Sequence, residues 1–250
     1  MNLLYDGSFR GFLTTVFTVF KERLDPVNIE KTSSHVPDLF EETRTVNSRE
    51  DLAKRVILGI KNRISPLMPR LVLHAFLTGA PGVENTLLAC VQKGLSQGPG
   101  FTDNLADPHA LALEQLSRRC LHEYHLFLGI VRFRQVTPGC YYAPIQPENN
   151  ILPLLGGHFS RRLGDQDWII HDLTRGTALI FSNGKLEMAE ITLDQPNEGA
   201  GPPDLEDEYF SIWRTYYENI GIADRKNPRL RMNFLPKKYW KHLPEMKGEV

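Results

Sequence analysis

The chain changes character at Val136. Helical spacing of apolar residues dominates before that point, and short strand-like runs broken by turn residues follow it. Residues 139–145, 167–171, 177–182 and 186–193 read as strands, and Asn183-Gly184 between the last two is a strong hairpin signal. The intervening residues 151–163 read as a helix despite Gly156-Gly157. The predicted fold class is therefore α+β: mainly helical, with a small antiparallel sheet over about residues 139–193 and a C-terminal helix plus basic tail. A single domain over residues 1–250 is expected. It comprises a helical region over residues 1–135, a β-containing region over 136–193, a linker over 194–204 and the helix and tail over 205–250.

In the helical region, residues 1–5 read as a short strand. Ser8 caps a largely buried helix to about residue 23, and Asp25-Pro26 stops it. Ser48 with Asp51 resembles a capping box for a helix through Ile64. Helices follow over 67–78, 82–95 and 108–133, the last with Leu111, Leu116, Cys120, Phe127 and Val131 as expected core positions.

Residues 205–220 carry Tyr209, Trp213, Tyr216, Tyr217 and Ile220 on one helical face, with Asp204 as cap and Gly221 as stop. Beyond them, residues 221–250 hold eight basic and three acidic residues, a local charge of +5 in a chain whose net charge is −1. Pro236 is suited to open a short second helix. Basic residues interleaved with aromatics suit phosphate neutralisation and base stacking. The expected nucleic-acid-binding set is Arg132, Arg229, Arg231, Lys237, Lys238, Tyr239, Trp240 and Lys241. The alternative is a solvated tail whose aromatics pin it to the core, and the prolines favour Tyr239 and Trp240 being at least partly packed. Arg132 and Arg134, with Arg118 and Arg119 upstream, supply a second basic cluster.

His158, Arg161, Arg162, Asp167, His171, Asp172 and Arg175 form the densest reactive set, with His158, Arg161 and Asp172 as catalytic candidates. Catalysis requires them to converge in an open pocket; the other reading is an Arg-Asp pair tying a helix to a sheet edge. His122 and His125 make a weak metal pattern, so no metal and no cofactor is expected. Phosphate-loop, dinucleotide-binding and hydrolase-elbow motifs are absent from the sequence. Cys90, Cys120 and Cys140 have no ligand spacing, and no run is long or apolar enough for a membrane span or a signal peptide, so a cytoplasmic protein is expected.

Four stretches carry a resemblance: YDGSFRGFLTTVF, RRCLHEYHLFLGIVRF, YYAPIQPENNILPLLGGHFSRRL with WIIHD, and RKNPRLRMNFLPKKYWKHLPE. In combination and in order they resemble the bacterial "probable DNA metabolism protein" family. Its uncharacterised domain occurs alone or fused to a uracil-DNA glycosylase-like domain. The resemblance implies an accessory role in DNA repair or modification beside a radical-SAM partner, with a uracil-DNA glycosylase-like protein as a further partner. This sequence departs from the fused form by lacking the glycosylase domain, so no base-excision activity is expected of it. Two other functions stay open: a protein-protein adaptor without DNA contact, and an enzyme acting on damaged DNA through His158, Asp172 and the nearby arginines.

Overall fold

The computed structural model describes residues 1–37, 42–191 and 235–243. The chain divides into two compact units, Met1–Leu121 and His122–Val250. The expected linker 194–204, the aromatic helix 205–220 and the tail up to residue 234 lie outside the described residues.

The first unit is built around β1 (Asn2–Tyr5), which is buried along its whole length. Its partners are β2 (Asn28–Lys31) and β3 (Thr43–Thr45), both parallel, giving the order β2-β1-β3. Burial on both faces is what a central parallel strand requires. This sheet is an addition to the expected fold, because neither NIEK nor TRT carries an apolar signal of its own. Between β1 and β2 runs α1 (Phe9–Glu22), capped as expected: the Ser8 hydroxyl accepts the Gly11 N–H at 2.9 Å. Phe9, Phe12 and Phe76 gather with Tyr5 in a ring cluster with centroids 5.2–6.5 Å apart. Phe20 departs from the expected burial, at 41% exposure, and Arg10, Lys21 and Glu22 are exposed as well.

Helices α2 (Glu50–Arg63), α3 (Met68–Leu77) and α4 (Val83–Gln97) complete the layer. The expected capping box at Ser48 is corrected. Arg49 occupies the cap position without a side-chain bond, and the Ser48 hydroxyl donates instead to Asp6 Oδ2 at 2.5 Å. Asp6 is a long-range competitor that a local motif cannot see.

Helix α5 (Pro108–Ile130) crosses the boundary between the units. It starts at the expected proline, where the Asp107 carboxylate accepts the His109 N–H at 2.9 Å. Its buried stripe is Ala110, Leu113, Ser117, Cys120, Glu123 and Phe127, whereas Leu111 is 39% exposed. The expected core face is thus met at Cys120 and Phe127, whereas Leu116 and Val131 are only half-buried and Leu111 points outward; Ala110, Ser117 and Glu123, which apolarity does not select, are inward instead.

In the second unit, β4 (Arg134–Thr137), β5 (Cys140–Ile145), β6 (Asp167–Asp172), β7 (Thr177–Ser182) and β8 (Lys185–Glu190) form one sheet in that order. The fold is α+β. The sheet, however, is mixed and not purely antiparallel, since β5 and β6 run parallel. The reason is α6 (Leu152–Arg162), which carries the chain back between them, and only a crossover of that kind can join parallel neighbours. Phe159 on α6 meets Trp168 edge-on at 6.3 Å, and Trp168 stacks on Phe181 at 5.3 Å. The β7–β8 hairpin turns at Asn183 and Gly184, whose φ values of 51° and 74° are those of a type I′ turn.

Candidate nucleic-acid interface

Pro236 precedes a 3-10 helix, Lys237–His242, as its fixed φ and missing N–H favour. Two aromatic anchors hold this short element. Trp240, 3% exposed, packs with Leu243, Ile130 and Leu235, and its indole N–H donates to the Leu235 carbonyl at 2.9 Å. Tyr239, 6% exposed, meets Phe127 edge-on at 5.1 Å and donates its hydroxyl to Glu123 Oε1 at 2.6 Å.

Glu123 is the centre of this attachment. Its buried carboxylate also accepts the Glu148 and Asn149 backbone N–H groups, both at 2.7 Å, and the Asn149 side-chain amide at 2.5 Å. One carboxylate therefore joins α5, the loop after β5 and the 3-10 helix. Sequence reasoning does not single out Glu123. The available signal is its place in the inward stripe of α5, where a charged residue needs partners.

Anchoring the rings directs the lysines outward. Lys237, Lys238 and Lys241 are exposed. The Lys237 ammonium lies 5.6 Å from the Trp240 ring centroid, while Lys238 sits over Tyr239 at 4.9 Å and pairs with Glu148 at 2.5 Å. His242 donates through Nε2 to Gln146 Oε1 at 3.0 Å. Burial holds its pKa below the ordinary imidazole range, and the positive charges of Lys241 and Arg134 push it the same way.

Of the expected binding residues, Lys237, Lys238 and Lys241 share this element. Arg132 follows α5 directly and donates to the Gly129 carbonyl at 2.8 Å. Arg229 and Arg231 lie outside the described residues. Tyr239 and Trp240 are buried in the unit's own core, which leaves their rings little face for a base. The expectation that they pack against the chain is met. Arg118 pairs with Glu114 at 2.9 Å in the first unit.

The catalytic candidates do not form a dyad. Asp172 is fully buried; its Oδ1 accepts the Thr174 and Arg175 N–H groups at 2.9 and 3.3 Å, and its Oδ2 pairs with the Arg175 guanidinium at 2.8 Å. Arg175 donates onward to the carbonyls of Pro147 at 3.1 Å and Glu148 at 2.5 Å. This is a tie between the end of β6 and the loop after β5. His158 Nε2 on α6 is buried with no hydrogen-bond partner among the described residues, and Arg161 is exposed at the end of that helix. His171 instead shares a 2.9 Å hydrogen bond with the Tyr142 hydroxyl. Burial lowers the His171 pKa, with Asp172 opposing, and burial raises that of Tyr142. Among the described residues no group of three or more His, Cys, Asp or Glu side chains is placed to hold a metal, and no helix is long and apolar enough to cross a membrane.

Fold and site together define an α+β protein whose basic 3-10 element is clamped to α5 and the loop after β5 by a buried glutamate. The chain belongs to the DUF4130 family, a domain of unknown function, which matches residues 81–245. No curated protein and no solved structure matches it.

Proposed function

We propose that this protein is an accessory factor in DNA repair or modification, binding nucleic acid through its basic C-terminal segment and working beside a radical-SAM partner. The observation that carries the DNA-binding reading is the clamped 3-10 helix, which presents the exposed Lys237 and Lys241; Arg134 of the second basic cluster is the third cation tested. Fixed cations on a rigid element neutralise phosphates with less conformational loss than a loose tail. Lys238 contributes less, because Glu148 already neutralises it. With Tyr239 and Trp240 buried, contact is electrostatic, so weak sequence preference and strong salt dependence are expected. The partner and the repair context come from the family resemblance and not from the geometry. The adaptor reading loses Tyr239 and Trp240 to the protein's own core. The enzyme reading loses Asp172 to Arg175.

Fluorescence anisotropy with single- and double-stranded oligonucleotides over a salt series tests the reading. Affinity should fall as salt rises, and replacing Lys237, Lys241 and Arg134 with Ala should reduce the log–log slope by up to about 3. Affinity indifferent to salt, or unchanged in the triple variant, would overturn it.

A further inference from the structure

The first unit contains an open groove of about 260 Å³ between α1, α2 and α4. Its walls are Val16, Phe17 and Phe20 of α1, Val56 and Ile60 of α2, and Val91 and Leu95 of α4. Phe20 is 41% exposed there. Two cations complete the lining, Arg55 and Arg63, and among the described residues no acidic side chain takes part. Arg55 lies over the Phe17 ring, 4.9 Å from its centroid.

We propose that this groove docks an acidic amphipathic helix of a partner protein. Arg55, Gly59 and Arg63 fall at i, i+4 and i+8 and so line one edge of α2. Their backbone positions thereby stand about 12 Å apart along the helix axis. A single carboxylate is too small to engage both, whereas two glutamates separated by two turns on a guest helix match the spacing. Between the arginines, Gly59 leaves the floor open: nothing lies within 4 Å of the position a Cβ would occupy. The groove's lining carries two cations and, among the described residues, no carboxylate, so charge complementarity selects an acidic guest. The apolar walls take the guest's i, i+3/i+4 and i+7 side chains, the usual helix-in-groove mode. Nucleic acid fits less well, because two cations two turns apart track no continuous phosphate backbone and Arg55 already covers one face of Phe17. This proposal is independent of the DNA-binding reading, since it uses none of the same residues.

The test uses the full chain and two labelled peptides about four turns long. Both carry Leu at the i, i+4, i+7 positions; one has Glu flanking that face two turns apart and the other has Lys. The Glu peptide is expected to bind at least about tenfold more tightly than the Lys peptide. Gly59→Leu fills the groove with a better helix former and should weaken binding by about tenfold or more with the melting temperature held or raised. If Gly59→Leu does not fold, the double variant Arg55→Glu/Arg63→Glu decides, and it should reverse the preference towards the Lys peptide. Equal binding of the two peptides, no saturation by either up to ~1 mM, or unchanged affinity in a folded Gly59→Leu would overturn the proposal. So would an oligothymidylate that displaces the Glu peptide and itself loses affinity in Gly59→Leu, which would reassign the groove to nucleic acid.

Discussion

Glu123 shows how one side chain can set the position of a surface it does not belong to. Its carboxylate receives four hydrogen bonds, from Tyr239, from two backbone amides and from Asn149. Truncating it removes the acceptor these donors share, in a setting where Asn149 is buried. Glu123→Ala is therefore expected to cost about 2–4 kcal/mol, read from urea unfolding, and to release the 3-10 helix to faster hydrogen exchange. An exchange rate at Tyr239 and Trp240 unchanged in that variant would show that packing alone holds the element. Tyr239 and Trp240 were both legible as interesting residues, but composition could not tell stacking on a base from packing in a core. The difference lies in what faces the ring, and a residue 116 positions away in sequence decides that for Tyr239.

At the level of elements, local signals were reliable wherever the physics is local. The Ser8 cap, the Pro108 start, the Pro236 opening and the Asn183-Gly184 turn all rest on contacts within a few residues. Gly184 has a φ of 74° and open space around its missing Cβ, so Gly184→Ala costs conformational energy without a clash. About 1 kcal/mol is expected from thermal or urea unfolding. A neutral result would mean that the turn relaxes to another type. Signals failed where a distant group competed. Ser48 satisfies every local rule for a cap, yet Asp6 takes its hydroxyl. The inward face of α5 likewise includes Ser117 and Glu123, which satisfy themselves through tertiary partners and so evade a search for apolar residues.

For the whole molecule, buried titratable groups define a stability window in pH. Burial is the first cause that lowers the pKa of His74, His171 and His242. The unfolded chain binds protons on these groups more readily, so the stability they contribute is present above about pH 6.5 and lost as pH falls below it. Burial pushes the Cys90 thiol up to about 12 and raises Tyr5, where Glu84 adds to the effect. These groups hold their protons more tightly when folded, so stability is intact below about pH 8.5 and declines as pH rises through the thiol and phenol ranges. Melting temperature should form a plateau between about pH 6.5 and 8.5. Cys90→Ala should delay the alkaline decline, and an identical profile in that variant would remove Cys90 from the explanation. The sequence by itself determined helices α1 to α6, the hairpin and the α+β class, because each follows from interactions between residues close in the chain. Tertiary structure alone decided the parallel pairing of β1 with β2 and β3, the parallel β5–β6 step, the reach of Arg175 to the Pro147 and Glu148 carbonyls and the Glu123 clamp. Each joins groups whose partners are chosen by burial and geometry, and a spacing pattern carries no record of which distant donor reaches a buried carboxylate first.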